Sequence, residues 1–266
     1  MIAGDLNFEQ NHVTIKTNKQ ERVLHMQSTD DILYEGKSKS VHPGPCADSV
    51  ILRYKDTATA FNGVKKEEIS GKGKLNATIS NLIYAYLHEN GVETHLIEIL
   101  DETTVAAKKV EVVPIEVIIR NVAAGRFSHT YGVPEGTPLR RAVVEFALKD
   151  DALDDPPINE SQILALDLAT ATELADMTRQ AVKINELLIT YFAKVKIRLI
   201  DFKLEFGRYK DGSIILCDEI SPDSCRLWDA DTGQKLDKDR FRQDLGDLIS
   251  GYEEVLHRLT SGGFTS

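Results

Sequence analysis

The sequence predicts an α+β fold, and three observations support this prediction. Strand patterns and helix patterns follow one another without the regular alternation that produces a doubly wound parallel sheet. Residues 201–218 alternate between polar and apolar side chains around a turn sequence, as an antiparallel β-hairpin does. The chain has 266 residues, the size at which one core begins to divide, so we expect a single unit of two lobes.

The first lobe is predicted to be rich in strands. Residues 1–29 are polar and form an N-terminal extension outside it, and the lobe itself spans residues 30–111. Its candidate strands are Ser49–Tyr54, residues 95–100 and Thr104–Lys108. One helix interrupts them and ends at Asn90-Gly91, because apolar side chains recur there at helical spacing: Ile79, Leu82, Ile83, Tyr86 and Leu87.

The second lobe spans residues 112–266, and residues 108–114 are the predicted crossing between the lobes. An apolar run at residues 115–120 predicts a buried strand with a charge at its end. A long helix begins at the capping box of Thr170 and Glu173, and a final helix spans residues 241–259.

The predicted hairpin places acidic residues on one face. If Asp211-Gly212 forms a two-residue turn, Glu205 lies opposite Asp218 with their Cβ atoms ~5 Å apart. Two facing carboxylates repel each other unless a cation lies between them, and an oxygen-only pair suits Mg²⁺. A solvated strand face that binds nothing is the alternative. A four-residue loop would pair Lys203 with Asp218 on the same face, whereas a slip by one residue would remove the pairing.

Three further segments carry groups that can bind anions. Gly36, Lys37 and Lys39 place two ammonium groups beside a flexible backbone, which suits phosphates but equally suits a solvated turn. Arg120 and Arg126 flank small residues at the end of the buried strand, where a ligand can approach the backbone, but a tight chain reversal with two solvated arginines fits the pattern equally. Arg226 lies in the segment after the hairpin and can clamp a phosphate or a carboxylate.

Charge and cysteine content narrow the classes of partner and compartment. The formal net charge of −10 argues against a nucleic acid or an anionic membrane, although local basic clusters can still bind small anions. The three cysteines are odd in number and lack metal-site spacing, which predicts free thiols in a reducing cytoplasm. No signal peptide or membrane-spanning run is visible in the sequence.

Together these segments resemble one family, the SAICAR synthetases of purine biosynthesis. The resemblance covers roughly residues 34–259, and DFKLEFG with SPD-x-x-RLWD is its most specific part. The matching motifs are YEGKSK from Tyr34, DTATAFNG from Asp56, VPIEVIIRNVAAG up to Gly125, NES from Asn159, DFKLEFG from Asp201, DEISPDSCRLWD from Asp218 and DKDRFRQDLG from Asp237.

The resemblance implies a fold, a reaction and its ligands. It implies two lobes, each with a mostly antiparallel sheet, and an ATP cleft between them. The implied enzyme is an ADP-forming ligase that joins L-aspartate to the carboxylate of carboxyaminoimidazole ribonucleotide, through an acyl phosphate and with Mg²⁺. A homodimer is also plausible by family analogy.

The resemblance also implies roles for individual residues. The metal ligands are Glu205 and Asp218, and the catalytic lysines are Lys203 and Lys37. The ATP-binding residues are Gly36, Lys37, Lys39, Lys108, Val110 and Val112. The substrate-binding residues are Asn62, Arg120, Arg126, Lys149, Asp223 and Arg226.

The chain departs from the family pattern after Gly125. Family members usually carry Gly-Ser followed by paired basic residues, whereas this chain has Gly125-Arg126 and then Ser128-His129-Thr130. Arg126 either replaces the serine as a phosphate ligand, which we favour, or blocks the pocket.

Two other classes of function fit parts of the pattern. A small-molecule kinase would share the lysines and the acidic pair, with Asp201 as a base, but would not need aspartate. A non-catalytic nucleotide-binding protein would be favoured by loss of Lys37, Lys203, Glu205 or Asp218, and all four are present.

Overall fold

The computed structural model describes residues 31–60 and 63–262. The predicted extension over residues 1–29 and the predicted substrate residue Asn62 therefore lie outside the described residues. In the described part, no helix is both long enough and apolar enough to cross a bilayer.

Antiparallel sheets and flanking helices make up the described residues. The strands are β1 (Tyr34–Glu35), β2 (Lys39–Pro43), β3 (Ser49–Tyr54), β4 (Thr57–Ala60), β5 (Lys65–Glu68), β6 (Leu96–Ile99), β7 (Thr104–Lys108), β8 (Glu111–Val122), β9 (Pro138–Leu148), β10 (Pro157–Ile158), β11 (Ile197–Arg208), β12 (Ile214–Cys217) and β13 (Cys225–Asp229). The helices are α1 (Lys72–Glu89), α2 (Gly125–Tyr131), α3 (Glu160–Ala165), α4 (Ala171–Lys194), α5 (Asp239–Arg242) and α6 (Leu248–Ser261).

Two large sheets form, one from the part of the chain before residues 109–110 and one from the part after them; we call these the first and second parts of the chain. The first has the strand order β1-β2-β3-β7-β6, and the second has the order β10-β9-β8-β11-β12, with β13 also paired to β11. The strands β4 and β5 form a separate hairpin. The paired strands within these sheets are antiparallel, which confirms the predicted α+β fold.

The second sheet buries one face against α4. Val113, Ile115, Val117 and Ile119 alternate along β8 and are fully buried in the main core, as the apolar run predicted. On β11, Phe202, Leu204 and Phe206 point into the same core. The intervening positions of both strands face the other side of the sheet, where the polar residues lie.

Helix α1 lies between the two sheets. Ile79 and Ile83 belong to the core of the second sheet, whereas Ala77 packs with Val50 and Leu52 of the first. Only Lys109 and Val110 separate β7 from β8, so the backbone passes from one sheet to the other within the predicted crossing. Gly207 allows this crossing to approach β11, because a Cβ there would lie 2.4 Å from Cγ2 of Val110.

The predicted register of the β11–β12 hairpin is wrong by one residue. Glu205 pairs with Cys217, not with Asp218, and Tyr209 N–H donates to the carbonyl of Ser213 across a three-residue turn. Gly212, at φ 83°, supplies the left-handed residue that ends such a turn. The slip puts Cys217 on the same face as Glu205 and leaves Asp218 just beyond the strand.

The predicted single C-terminal helix is also wrong, because it is two helices. Phe241 lies in α5 and the other predicted positions from Leu248 onward lie in α6. Asp244 and Gly246 between them have φ angles of 53° and 89°, which an α-helix cannot contain. The chain therefore turns before α6 begins at its Asp247 cap.

Candidate active site

The carboxylate that faces Glu205 comes from β8. Glu205 pairs with Glu116 across the β8–β11 ladder, and both side chains are buried. Lys203 Nζ lies between them, 2.7 Å from Glu116 Oε1 and 2.8 Å from Glu205 Oε1. Lys149 Nζ adds a second cation, 2.9 Å from Glu205 Oε1. The repulsion expected between two facing carboxylates is thus relieved by lysines in this structure.

Asp218 reaches the same site from the end of β12. Its φ of 63° is unusual for a residue with a side chain and turns the backbone out of the strand direction. Lys39 Nζ lies 2.7 Å from Asp218 Oδ1 and 3.1 Å from Glu219 Oε2. A lysine of the first sheet is therefore paired with two acidic residues of the second.

Glu205 and Asp218 both influence the pKa of the same two lysines, Lys203 and Lys149. Burial by itself lowers the pKa of Lys203, but Glu205, Glu116 and Asp218 raise that pKa well above its usual range. Burial likewise disfavours the charged form of Lys149, and Glu205 and Asp218 still give it a raised pKa. Both lysines consequently remain ammonium groups at neutral pH.

The turn that carries Lys37 and Lys39 contacts the second part of the chain. Gly36 N–H donates to the carbonyl of Lys39 at 2.8 Å and closes a tight turn between β1 and β2. Lys37 Nζ lies 2.7 Å from Asp151, which belongs to a 3₁₀ turn of the second part of the chain. Lys37 and Lys39 are therefore both paired with carboxylates of the second part of the chain.

The other predicted ATP-binding residues lie at or beside the crossing between the two sheets. Lys108 ends β7, and its Nζ lies 2.6 Å from Glu93. Val112 is part of β8 and pairs with Gly207, and its side chain is exposed. Val110 lies between the sheets against Gly207.

A strongly basic cavity of about 260 Å³ opens on the polar face of the second sheet. Five basic and two acidic side chains line it, together with apolar and small ones: Arg120, Lys203, Arg226, Lys238, Arg242, Asp201, Asp223, Ile118, Phe202, Ser224 and Cys225. This local excess of positive charge contrasts with the net charge of −10 and suits a small anionic ligand.

Asp201 fixes the two predicted arginines at the wall of this cavity. Arg120 Nη1 donates to Asp201 Oδ2 at 2.8 Å, and Arg226 Nη1 donates to the same oxygen at 2.9 Å. Arg226 Nε also donates to Asp239 Oδ2 at 2.8 Å. The guanidinium of Arg226 lies against Gly125, where a Cβ would be 2.4 Å from Nη2. Because its oxygens are occupied by guanidinium groups, Asp201 is poorly placed to act as a base.

Of the other described residues predicted to bind the substrate, only Asp223 lines this cavity. Asp223 lies at the cavity, but its carboxylate is already bonded to Lys72 and Tyr252. Arg126 is exposed, donates to the carbonyl of Asp155 at 3.3 Å and does not line the cavity. Lys149 lies beside Glu205 instead of at the arginines.

A larger cavity of about 460 Å³ lies elsewhere, between α4, the end of α1 and the β11–β12 turn. It contains none of the predicted site residues, and its charged side chains pair locally, as Arg179 does with Asp176. We take the basic cavity and the neighbouring charged group of Glu116, Lys203, Glu205 and Asp218 as the candidate active site, because both predicted metal ligands, the predicted catalytic Lys203 and three of the predicted substrate-binding residues lie there.

The sequence-based interpretation missed four charged residues of this site. Glu116 could have been found as a single charge in an otherwise apolar strand, on the same alternation as Arg120. Lys238 and Arg242 are part of DKDRFRQDLG, a motif of the family resemblance to which we assign no residue roles from sequence. Glu219 follows Asp218 directly, and only the structure shows that it shares Lys39.

Comparison with known proteins gives the family. The family model described as SAICAR synthetase matches residues 32–259 of this chain. The chain belongs to the SAICAR synthetase family. It is therefore a ligase of purine biosynthesis, as the motifs predicted, and the kinase and non-catalytic alternatives do not agree with this membership.

Individual relatives match over most of their length. A phosphoribosylaminoimidazole-succinocarboxamide synthase of Finegoldia magna is 52% identical over 227 residues, which cover 85% of this chain and 98% of the relative. The crystal structure of the enzyme from Ehrlichia chaffeensis has a TM-score of 0.85 and 43% identity, and covers 86% of this chain and 98% of its own. A SAICAR synthetase solved in complex with ADP has a TM-score of 0.84 and 44% identity, with 87% and 98% covered.

Proposed function

We propose that this chain joins L-aspartate to the carboxylate of carboxyaminoimidazole ribonucleotide, with conversion of ATP to ADP and phosphate. The observation that carries the proposal is that two clusters of opposite charge lie next to each other. One is the acidic group of Glu116, Glu205 and Asp218 with its lysines, and the other is the basic cavity beside it. The first suits a nucleotide with its metal, and the second suits an anionic substrate.

The reaction proceeds in two steps. A carboxylate oxygen of the ribonucleotide attacks the γ-phosphorus, the bond to the β-phosphate oxygen breaks, and ADP leaves. The amine of L-aspartate then attacks the carbonyl carbon of the acyl phosphate, the carbon–oxygen bond breaks, and phosphate leaves. The neutral amine loses one proton, to water or to the departing phosphate, as the amide forms, and the amide nitrogen keeps the other. No side-chain nucleophile is needed, so catalysis is mainly positioning and charge stabilisation.

The nucleotide lies in the cleft between the sheets in this proposal. Lys37, Lys39 and the backbone at Gly36 hold the phosphates, and the segment from Lys108 through Val110 to Val112 offers backbone groups to adenine. Support comes from the ion pairs of both lysines with residues of the second part of the chain and from the relative that was solved with ADP.

Glu205 and Asp218 are the residues that would hold Mg²⁺. Among residues 31–60 and 63–262, no group of three His, Cys, Asp or Glu side chains is arranged to hold a metal ion by itself. Magnesium is usually bound by one or two carboxylates and completed by phosphates and water, so this pair fits the ion as it arrives with ATP. When bound, Mg²⁺ would neutralise charge on the β- and γ-phosphates.

The basic cavity holds the ribonucleotide. Arg120 and Arg226 bind its phosphate or carboxylate, and Lys203, at the edge of the acidic group, is directed at the oxygens of the transferred phosphoryl group. Lys149 and Asp223 complete the contacts. Arg126, although exposed, lies on α2 next to Gly125 and can reach the ligand only if it leaves Asp155.

Three expectations, on compartment, partners and assembly, accompany this proposal. We place the enzyme in the cytoplasm, where Cys46, Cys217 and Cys225 would stay free, as they are in the structure. We expect neither nucleic acid nor membrane as a partner, because of the net charge of −10. A homodimer is our expectation for the assembly.

The test is phosphate release from ATP in the presence of Mg²⁺ and carboxyaminoimidazole ribonucleotide, with and without L-aspartate. We expect sustained release only with all three substrates, and a loss of at least a hundredfold in the Glu205→Ala variant. Release that ignores aspartate, or an unchanged Glu205→Ala variant in folded protein, would contradict the proposal.

A further inference from the structure

Helix α1 carries a buried polar stripe, by which we mean Lys72, Asn76, Ser80 and Tyr84. The four residues are spaced by four along the helix and thus lie on one side of it. Their exposed fractions are only 0%, 1%, 1% and 2%. Polar side chains buried to this extent normally have a specific partner, because an unpaired one is costly.

For Lys72, Ser80 and Tyr84 the partner is the segment that carries Asp218 and Asp223, whereas the side-chain oxygen of Asn76 has no hydrogen-bond partner among the described residues. Residues 218–224 connect β12 to β13 without regular secondary structure. The stripe runs along this segment in the opposite direction, since Tyr84 contacts its beginning, Ser80 its middle and Lys72 its end. A segment with no ladder of its own depends on such contacts for its position.

Each contact fixes a different part of the segment. Tyr84 Oη donates to the carbonyl oxygens of Cys217 at 3.0 Å and of Asp218 at 3.1 Å. It thereby holds the backbone of Asp218 in the left-handed conformation, which costs free energy in a residue other than glycine. Ser80 Oγ accepts a hydrogen bond from Ile220 N–H at 3.2 Å.

Lys72 fixes the far end through a buried ion pair. Its Nζ lies 2.6 Å from Asp223 Oδ2, with 0% and 4% of the two side chains exposed. Tyr252 of α6 donates to Oδ1 of the same carboxylate. Both oxygens of Asp223 are therefore held, and the carboxylate has one orientation at the cavity wall.

We infer that the polar stripe of α1 positions the active-site segment, with Tyr84 as the positioning residue for Asp218 and Lys72 as the positioning residue for Asp223. This inference rests on the proposed function, because it assigns the two carboxylates to different ligands. Tyr84 then governs divalent cation binding through Asp218, and Lys72 governs binding of the substrate nucleotide through Asp223.

The experiment compares two variants with two binding measurements. Tyr84→Phe should weaken Mn²⁺ binding in the presence of ADP, measured by electron paramagnetic resonance, by up to about tenfold, because it removes the one O–H donor that the two carbonyl oxygens share. Its affinity for carboxyaminoimidazole ribonucleotide, measured by calorimetry, should change less than twofold. Lys72→Met should show the opposite pattern, with a loss of about tenfold or more for the ribonucleotide.

Matched controls come from the same helix. Lys74→Met removes an exposed lysine paired with Glu102, and Tyr86→Phe removes a hydroxyl from a ring stacked on Tyr191. Both should leave the two affinities unchanged. If Lys72→Met does not fold, the selective effect of Tyr84→Phe still decides the inference.

The outcomes separate the inference from the proposed function. Equal losses of both ligands in a folded variant, or no loss in either, would overturn the inference while the wild-type chain still binds both. A wild-type chain that binds neither Mn²⁺ with ADP nor the ribonucleotide would overturn the proposed function and the inference with it.

Discussion

Lys203 has the position of an electrostatic catalyst and not of a base. Its ammonium group lies 2.7 Å from Glu116 and 2.8 Å from Glu205, and these carboxylates keep its pKa well above the usual range. A permanently charged group at this place can stabilise negative charge that develops during phosphoryl transfer.

We predict that Lys203→Met lowers kcat by roughly 100- to 1,000-fold, the loss typical for removal of one charge-stabilising group. The KM for ATP should change much less, because Lys37 and Lys39 remain. Steady-state formation of ADP measures both constants, with Lys74→Met as the control. A kcat within threefold of the wild type would show that Lys203 only balances the buried carboxylates.

Gly125 determines where Arg226 lies. A Cβ at this position would lie 2.4 Å from Nη2 and 2.7 Å from Cζ of Arg226, and the φ of 51° disfavours other residues. Since the guanidinium ends a flexible side chain, it can move aside and the protein can still fold.

The Gly125→Ala variant should therefore raise the KM for the substrate nucleotide about tenfold, because a charge-assisted hydrogen bond is lost when Arg226 moves. Gly132→Ala is a suitable control, since Gly132 has φ 63° on the same helix and nothing lies within 4 Å of the added Cβ. Similar kinetics in the two variants would mean that backbone strain, and not displacement of Arg226, explains any effect.

At the scale of single elements, local signals were predicted well and register was not. The capping box of Thr170 and Glu173 begins α4 as predicted, because its hydrogen bonds involve only neighbours in sequence. The β11–β12 turn was predicted one residue too short, since the dipeptide Asp211-Gly212 fits both a two-residue and a three-residue turn. Only the pairing of Tyr209 with Ser213 decides between them.

Prediction of the site was limited in the same way, because contacts between residues distant in sequence were missed. The motifs placed Lys203, Glu205 and Arg226 in one site, but they did not indicate that Glu116 is the facing carboxylate. That contact joins residues distant in sequence and depends on the register of β8 against β11. Likewise, the stripe on α1 has helical spacing in the sequence, yet nothing local distinguishes it from a solvated face.

The N-terminus of α4 should stabilise the fold less as the pH becomes acidic. Hydrogen bonds from Arg208 and from the cap lower the pKa of Glu173 to about 2. A carboxyl with a lowered folded-state pKa stabilises the fold above its ordinary pKa of roughly 4.3, and that stabilisation is lost as pH falls toward 2.

We therefore predict that Glu173→Gln flattens the decline in the free energy of unfolding between about pH 5 and pH 3. Urea denaturation at a series of pH values measures this, with the exposed Glu186→Gln as the control on the same helix. Parallel curves for the wild type and Glu173→Gln would contradict the prediction.

Strand β2 contributes a lysine that competes with the metal. Lys39 is paired with Asp218 and Glu219, so a divalent cation must displace this ammonium group to reach Asp218. The phosphates of a nucleotide offer Lys39 a new partner at the same moment. The structure thus favours joint binding of metal and nucleotide over binding of the metal alone.

The Lys39→Met variant should bind Mn²⁺ in the absence of nucleotide more tightly than the wild type, by about tenfold, and bind ADP more weakly. Electron paramagnetic resonance of Mn²⁺ with and without ADP measures the coupling, and Lys74→Met serves as the control. Unchanged or weaker binding of Mn²⁺ alone would show that Lys39 does not compete with the cation.

At the scale of the whole molecule, the active site is shared between the two sheets. Lys37 and Lys39 of the first part reach Asp151 and Asp218 of the second, and α1 packs against both. The described site is formed within residues 31–60 and 63–262, and the family model matches residues 32–259. Because the family model begins at residue 32, we propose that the chemistry requires no group from residues 1–29.

We predict that a chain lacking residues 1–29 retains kcat and both nucleotide KM values within about twofold, because each charged pair of the site remains. Kinetics of the shortened and the full chain, measured at equal active-site concentration, test this. Titration with ADP and Mn²⁺ gives that concentration and separates loss of folded protein from loss of catalysis. If the shortened chain binds both ligands normally but turns over at least tenfold more slowly, residues 1–29 take part in a step after binding, and the site would be larger than the one described.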